Sequence, residues 1–191
     1  MGRDGWLGGG DQAVAATGCT WNSWLDEREL RAWRALQLMQ MRLTAQLARE
    51  LAATSGLSYP DYLVLVGLTD RPDGRMRIFE LGRNLGWEKS RLSHHIARME
   101  ERGLVTKERC GSDRRGAFVV VTDRGRKAIE AAAPGHVAAV RRLVIDRLTP
   151  RQLDALGAAA RTVLAALTDD EPTDDQPTDD QPANAESAGD G

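Results

Sequence analysis

A mainly helical chain of α+β class is predicted from three observations. Apolar residues recur at helical spacing over most of residues 24–167, Gly- and Pro-based turn signals punctuate that stretch, and one pair of short runs, Leu104 to Glu108 and Ala117 to Val121, has strand character. The 191 residues allow one domain of roughly 150 residues between two tails.

Met1 to Thr20 is rich in Gly and Ala without an apolar period, and a disordered extension is expected there. Trp24 to Ala53 is predicted as a long helix, with Leu36, Leu43, Leu47 and Leu51 on one stripe and Leu30, Trp33 and Met41 widening it. So wide a stripe implies contacts on two sides. Ser58 is the expected N-cap of a second helix running to Thr69, with Pro60 in its first turn, and Arg71-Pro72-Asp73-Gly74 ends it. Ile78 to Leu85 reads as a short third helix and Gly86 as a turn. Glu88 to Arg102 reads as a fourth helix closed by Gly103 at C′. After the hairpin, Asp123 to Arg147 is expected as a long helix bent at Pro134 and Gly135, and Thr149-Pro150 as the cap and first residue of a last helix to Leu167. From Thr168 to Pro182 the chain repeats Thr-Asp-Asp-(Glu or Gln)-Pro, a pattern that self-repels and cannot pack, so 168–191 is expected to be a disordered acidic tail.

Helix, turn, helix, then a charged hairpin is the plan of a winged helix-turn-helix, here with N- and C-terminal helices left to form a dimer. The DNA-binding lobe would span about 58–122 within a domain of 21–167, and the dimerisation helices about 24–53 and 123–167. The formal net charge of -2 hides an asymmetry: residues 21–167 carry 25 basic and 17 acidic residues, whereas 168–191 carry nine acidic residues and no Lys or Arg. Residues 75–127 alone hold 14 basic and 7 acidic side chains, which suits neutralisation of phosphates.

In the fourth helix, Leu92, Ile96 and Met99 are spaced to face the core, so Lys89, Ser90, Arg91, His94, His95, Arg98 and Arg102 fall on the remaining faces. Arg91 can donate bidentately to guanine, Ser90, His94 and His95 offer shorter groups to base edges, and Arg98 and Arg102 lie where phosphates would pass. A solvated amphipathic helix would show the same face. The hairpin tilts the balance, because Arg109, Arg114 and Arg115 crowd like charges at a loop beside Asp113 unless they meet an anion such as a minor groove.

Leu81-Gly82-Arg83-Asn84-Leu85-Gly86-Trp87, Ser90 to Ser93, Met99-Glu100-Glu101-Arg102-Gly103-Leu104-Val105, Asp113-Arg114-Arg115 and Val121-Thr122-Asp123-Arg124-Gly125-Arg126 together resemble the MarR family of bacterial transcriptional regulators. The resemblance covers about residues 24–167. It implies a homodimer on double-stranded DNA, a recognition helix at Glu88 to Arg102, and a wing whose Arg115 enters the minor groove with support from Asp113. It further implies control by a small-molecule effector or an oxidant. The chain departs from the family pattern in carrying Trp87 where a small aliphatic residue is common, and Gly82 inside the third helix.

Candidate effector-binding residues are Trp33, Met41, Tyr62 and Arg75, with the alternative that Trp33 and Tyr62 are ordinary core aromatics. Candidate redox residues are Cys110, beside Arg109 in the wing, and Cys19, just before the first helix. No metal site is expected, since His94 and His95 point about 100° apart and no ligand cluster completes them. There is no phosphate loop after a strand, no nucleophile elbow and no paired cysteines, so neither an enzyme nor a cofactor is expected. No apolar run approaches the ~20 residues of a membrane span, and no signal peptide is visible, so a cytoplasmic protein without a membrane partner is expected. The competing reading is a helical protein-interaction module whose basic wing meets an acidic partner, which only a base-sequence preference would separate from DNA recognition.

Overall fold

The computed structural model describes residues 24–109 and 117–169, with side chains as far as 167. The chain divides into two units, 1–140 and 141–191.

The first unit opens with α1 (Glu27–Ser55). Asp26 and Glu29 form its capping box, each side chain accepting the other's backbone N–H at 2.8 Å, so the helix starts three residues later than the apolar pattern suggested. Leu47 and Leu51 are buried as expected, but the third buried residue is Leu38 and not Leu36. Gly56 ends α1, and α2 (Tyr59–Thr69) follows with Ser58 and Asp61 as a second capping box.

Arg75–Arg77 forms a short strand, β1, that the sequence did not announce. It pairs antiparallel with β3 (Ala117–Val121), which also pairs antiparallel with β2 (Val105–Arg109), giving the order β1-β3-β2. β3 is the central strand, its backbone paired along both edges, and its Val119 and Val121 are buried in the core. Between β1 and β2 lie α3 (Ile78–Leu85) and α4 (Lys89–Glu101). Leu65 and Leu68 of α2, Leu81 of α3, Leu92, Ile96 and Met99 of α4, and Val105 and Val119 of the sheet build one core cluster beneath α4.

α5 (Asp123–Leu143) begins at Thr122, whose hydroxyl donates to the Gly103 carbonyl at 2.7 Å and accepts from the Gly125 N–H at 3.0 Å. The helix persists through Pro134 and stops short of the expected Arg147. In the second unit a 3-10 turn (Ile145–Arg147) is closed by Arg141 against Asp146 at 2.9 Å. Pro150–Asp169 then forms α6, with the Gln152 N–H donating to Thr149 Oγ1 at 3.3 Å, as the Thr-Pro signal predicted. None of the described helices is long and apolar enough to cross a membrane.

Candidate nucleic-acid interface

α3 and α4 meet at a tight turn because Gly86 adopts a left-handed conformation, φ +61°, that other residues disfavour. The Trp87 N–H then donates back to the Gly82 carbonyl at 2.9 Å. Gly82 is buried, and a methyl group there would meet Leu92 and the Trp87 carbonyl at 3.4 Å, about ordinary contact distance.

α4 turns Leu92, His95, Ile96 and Met99 inward and leaves Lys89, Ser90, Arg91, His94 and Arg98 exposed. Five of the expected DNA-contacting residues therefore share one element as a solvent-facing basic and polar surface. Arg109, also exposed, stands at the end of β2 opposite Ala117, where the hairpin leaves the sheet. Arg91 does not extend freely from its helix: its guanidinium lies 4.6 Å from the centroid of the Trp87 ring.

His95 departs from the outward placement expected of it. It occupies i+3 of the buried series Leu92, His95, Ile96, Met99 and is only 6% exposed. Its Nε2 lies 3.1 Å from Asp61 Oδ1, close but without the alignment of a good hydrogen bond, and its Nδ1 lies 3.1 Å from Arg98 Nη2. Asp61, 2% exposed, is the buried partner that makes an inward histidine tolerable. Arg102, expected near a phosphate, donates to Asp61 Oδ2 at 2.6 Å and to the Gly56 carbonyl at 3.2 Å. Burial pushes the Asp61 pKa up, but contacts from His95, Arg102 and Ser58 outweigh it and hold the carboxyl well below the usual carboxylate range. The C-terminal half of α4 is thereby fastened to the junction of α1 and α2. Neither Asp61 nor Trp87 was singled out as functional in the sequence. The spacing of His95 was the available signal for Asp61, since a histidine on a buried stripe requires a polar partner.

The expected effector-binding residues occupy three different settings. Trp33 is half exposed and Met41 more so on α1, which excludes Trp33 as a core aromatic of this chain. Tyr62 is buried with its ring 4.3 Å from that of His136, centroid to centroid; burial lowers the His136 pKa and raises that of Tyr62. Arg75 lies on the sheet, 4.0 Å over the Phe118 ring and 3.6 Å from Glu108. Cys110, Asp113, Arg114 and Arg115 of the hairpin loop lie outside the described residues, as do Cys19 and the N-terminal extension 1–20. The acidic tail also lies outside them from residue 170 onward. Among the described residues, no group of three or more His, Cys, Asp or Glu could hold a metal ion.

The family model described as MarR family matches residues 55–116. A crystal structure of AbsC, a MarR family transcriptional regulator from Streptomyces coelicolor, superposes with a TM-score of 0.72 at 42% identity, covering 76% of this chain and 98% of that one. Sco3205 from the same organism, a MarR family transcriptional regulator solved in complex with DNA, gives 0.73 at 40% identity over 79% of this chain and 93% of its own. The transcriptional regulator HosA of Escherichia coli O127:H6 is 32% identical over 105 residues, 54% of this chain and 73% of HosA.

Proposed function

Because the chain belongs to the MarR family of transcriptional regulators, we propose that it acts as a homodimeric repressor on a pseudo-palindromic DNA operator and is released by a small molecule or an oxidant. The observation that carries this reading is α4, apolar and fully packed on one side and basic and polar on the other. Laid in a major groove, its N-terminal half would bring Ser90, Arg91 and His94 to base edges, with Lys89 and Arg98 on flanking phosphates. Arg109, Arg114 and Arg115 would serve the adjacent minor groove, with Asp113 bracing Arg115. His95 takes no direct part in this scheme; it supports the helix from beneath. The DNA complex of Sco3205, at 40% identity, supports transferring the docking mode to this chain.

The domain limits follow the same assignment, a DNA-reading lobe at about 58–122 and dimer-forming helices at about 24–53 and 123–167. Two such lobes related by a two-fold axis would read half-sites about one helical turn apart. Repression then follows from occlusion of a promoter.

The test is selection of bound duplexes from a random pool at moderate salt by the wild type and by Arg91→Ala. An inverted repeat should be enriched, and Arg91→Ala should flatten the preference at one base position per half-site at a cost of about 1–3 kcal/mol. Binding without enrichment would instead indicate an architectural role. A loss equal on every duplex would make Arg91 a phosphate contact.

A further inference from the structure

Trp87 is held on several sides before any ligand arrives. Its backbone is tied to Gly82, its ring packs against the core cluster, and the His95 ring meets it edge-on at 5.3 Å between centroids and 89° between planes. His95 is itself held between Asp61 and Arg98. The indole also meets the guanidinium of Arg91, at 4.6 Å from its ring centroid. A continuous series of contacts thus runs from the buried Asp61 carboxylate through His95 and Trp87 to one exposed cation of α4.

We propose that Trp87 is a positioning residue for DNA reading, whose indole face holds the Arg91 guanidinium in place and thereby sets base preference where Arg91 reads. The proposal rests on the reading of Arg91 as a base-contacting residue. An arginine on an exposed helix face samples many rotamers, and ordering them on docking weakens binding. The electron-rich face of an indole attracts a cation without occupying its N–H donors as a full acceptor would, so the guanidinium can be pre-placed and still donate to a base. Only a ring already immobile can do this, and the packing of Trp87 on the core and on His95 supplies that immobility. A purely space-filling role would need an apolar side chain of similar bulk but no aromatic face.

The experiment compares the full chain with W87F, W87L, R91A and W87L/R91A against duplexes that differ at single base pairs, with thermal unfolding of each variant as a check on folding. Discrimination at the base pair that R91A flattens should fall in the order wild type, W87F, W87L. The W87L loss should be about two- to fivefold, the size of an exposed cation–aromatic contact, and the double variant should add little to R91A. Equal weakening on every duplex by W87L, or retained discrimination at the Arg91-dependent position, would reduce Trp87 to packing and overturn the proposal while leaving the Arg91 reading intact. If R91A itself flattens no position, that reading fails and the proposal with it. Should W87L not fold, W87F decides, and discrimination equal to the wild type overturns the proposal.

Discussion

One carboxylate, that of Asp61, serves both the start of α2 and the end of α4. Its Oδ2 accepts from the Ser58 N–H at 2.9 Å and from Arg102 at 2.6 Å, while Oδ1 faces His95. Removing it leaves His95 buried without its anion and frees the end of the helix. Asp61→Ala should therefore cost about 3–5 kcal/mol of stability, as when one member of a buried pair is deleted. Arg102→Ala should cost less, about 1 kcal/mol or under, because the Arg102 side chain is 45% exposed and solvent screens its part of the interaction. Urea denaturation of the two variants checks the order, and equal losses would mean that Asp61 acts mainly through Arg102 and not through His95 or the cap. Since the folded state holds the Asp61 pKa below its ordinary value of 3.8, its contribution is fully present above that value and is lost as the pH falls through the folded pKa. The wild type should accordingly lose more stability than Asp61→Ala on acidification below about pH 4. The role of Asp61 is not legible in the sequence, because it depends on residues 34 and 41 positions away that the fold brings beneath it.

At the scale of elements, local chemistry made most boundaries readable: α3 and the Ser58 and Thr149 caps stand where turn and capping residues placed them. What escaped reading depended on partners. Arg-Met-Arg is too short to signal a strand, and β1 exists because Met76 is drawn into the core opposite Val119 of β3. His95 is polar yet stands at i+3 of the Leu92, Ile96, Met99 series, and in the fold its spacing prevails over its polarity because Asp61 lies beneath it. α5 illustrates a third kind of constraint, that of space. A methyl group at Gly125 would collide with the Leu104 carbonyl and press on Val121, so the first turn of α5 sits directly on the start of β2 and the end of β3. Gly125→Ala should destabilise the protein by about 1–3 kcal/mol despite the ~1 kcal/mol helix-propensity advantage of Ala over Gly. Thermal unfolding measures this, and an unchanged or raised midpoint would show that α5 can shift without loss.

For the whole molecule, the unresolved balance is apolar surface. On α1, Trp33, Met39 and Met41 are exposed, and on α6 so are Leu156, Val163 and Leu167. Each helix therefore presents large apolar side chains that a single copy of the chain leaves in water, at about 25 cal/mol per Å² of area that burial would recover. A second copy related by a two-fold axis covers such faces without creating an open-ended polymer, which is the physical basis for proposing a homodimer. Val163→Asp places a charge in that surface at a position exposed in one chain, so it should leave the folded monomer intact and disfavour only association. Sedimentation equilibrium should then find the wild type dimeric and Val163→Asp shifted toward monomer. DNA binding should fall with it, because each monomer engages one half-site without the effective concentration supplied by its twin. The slope of log affinity against log salt should also drop to about half, since the number of neutralised phosphates halves with the number of lobes. A variant that remains dimeric and keeps the full slope would move the interface off α6. A monomeric variant with an undiminished slope would show that one lobe makes all the phosphate contacts, and the two-fold reading of the operator would have to be given up.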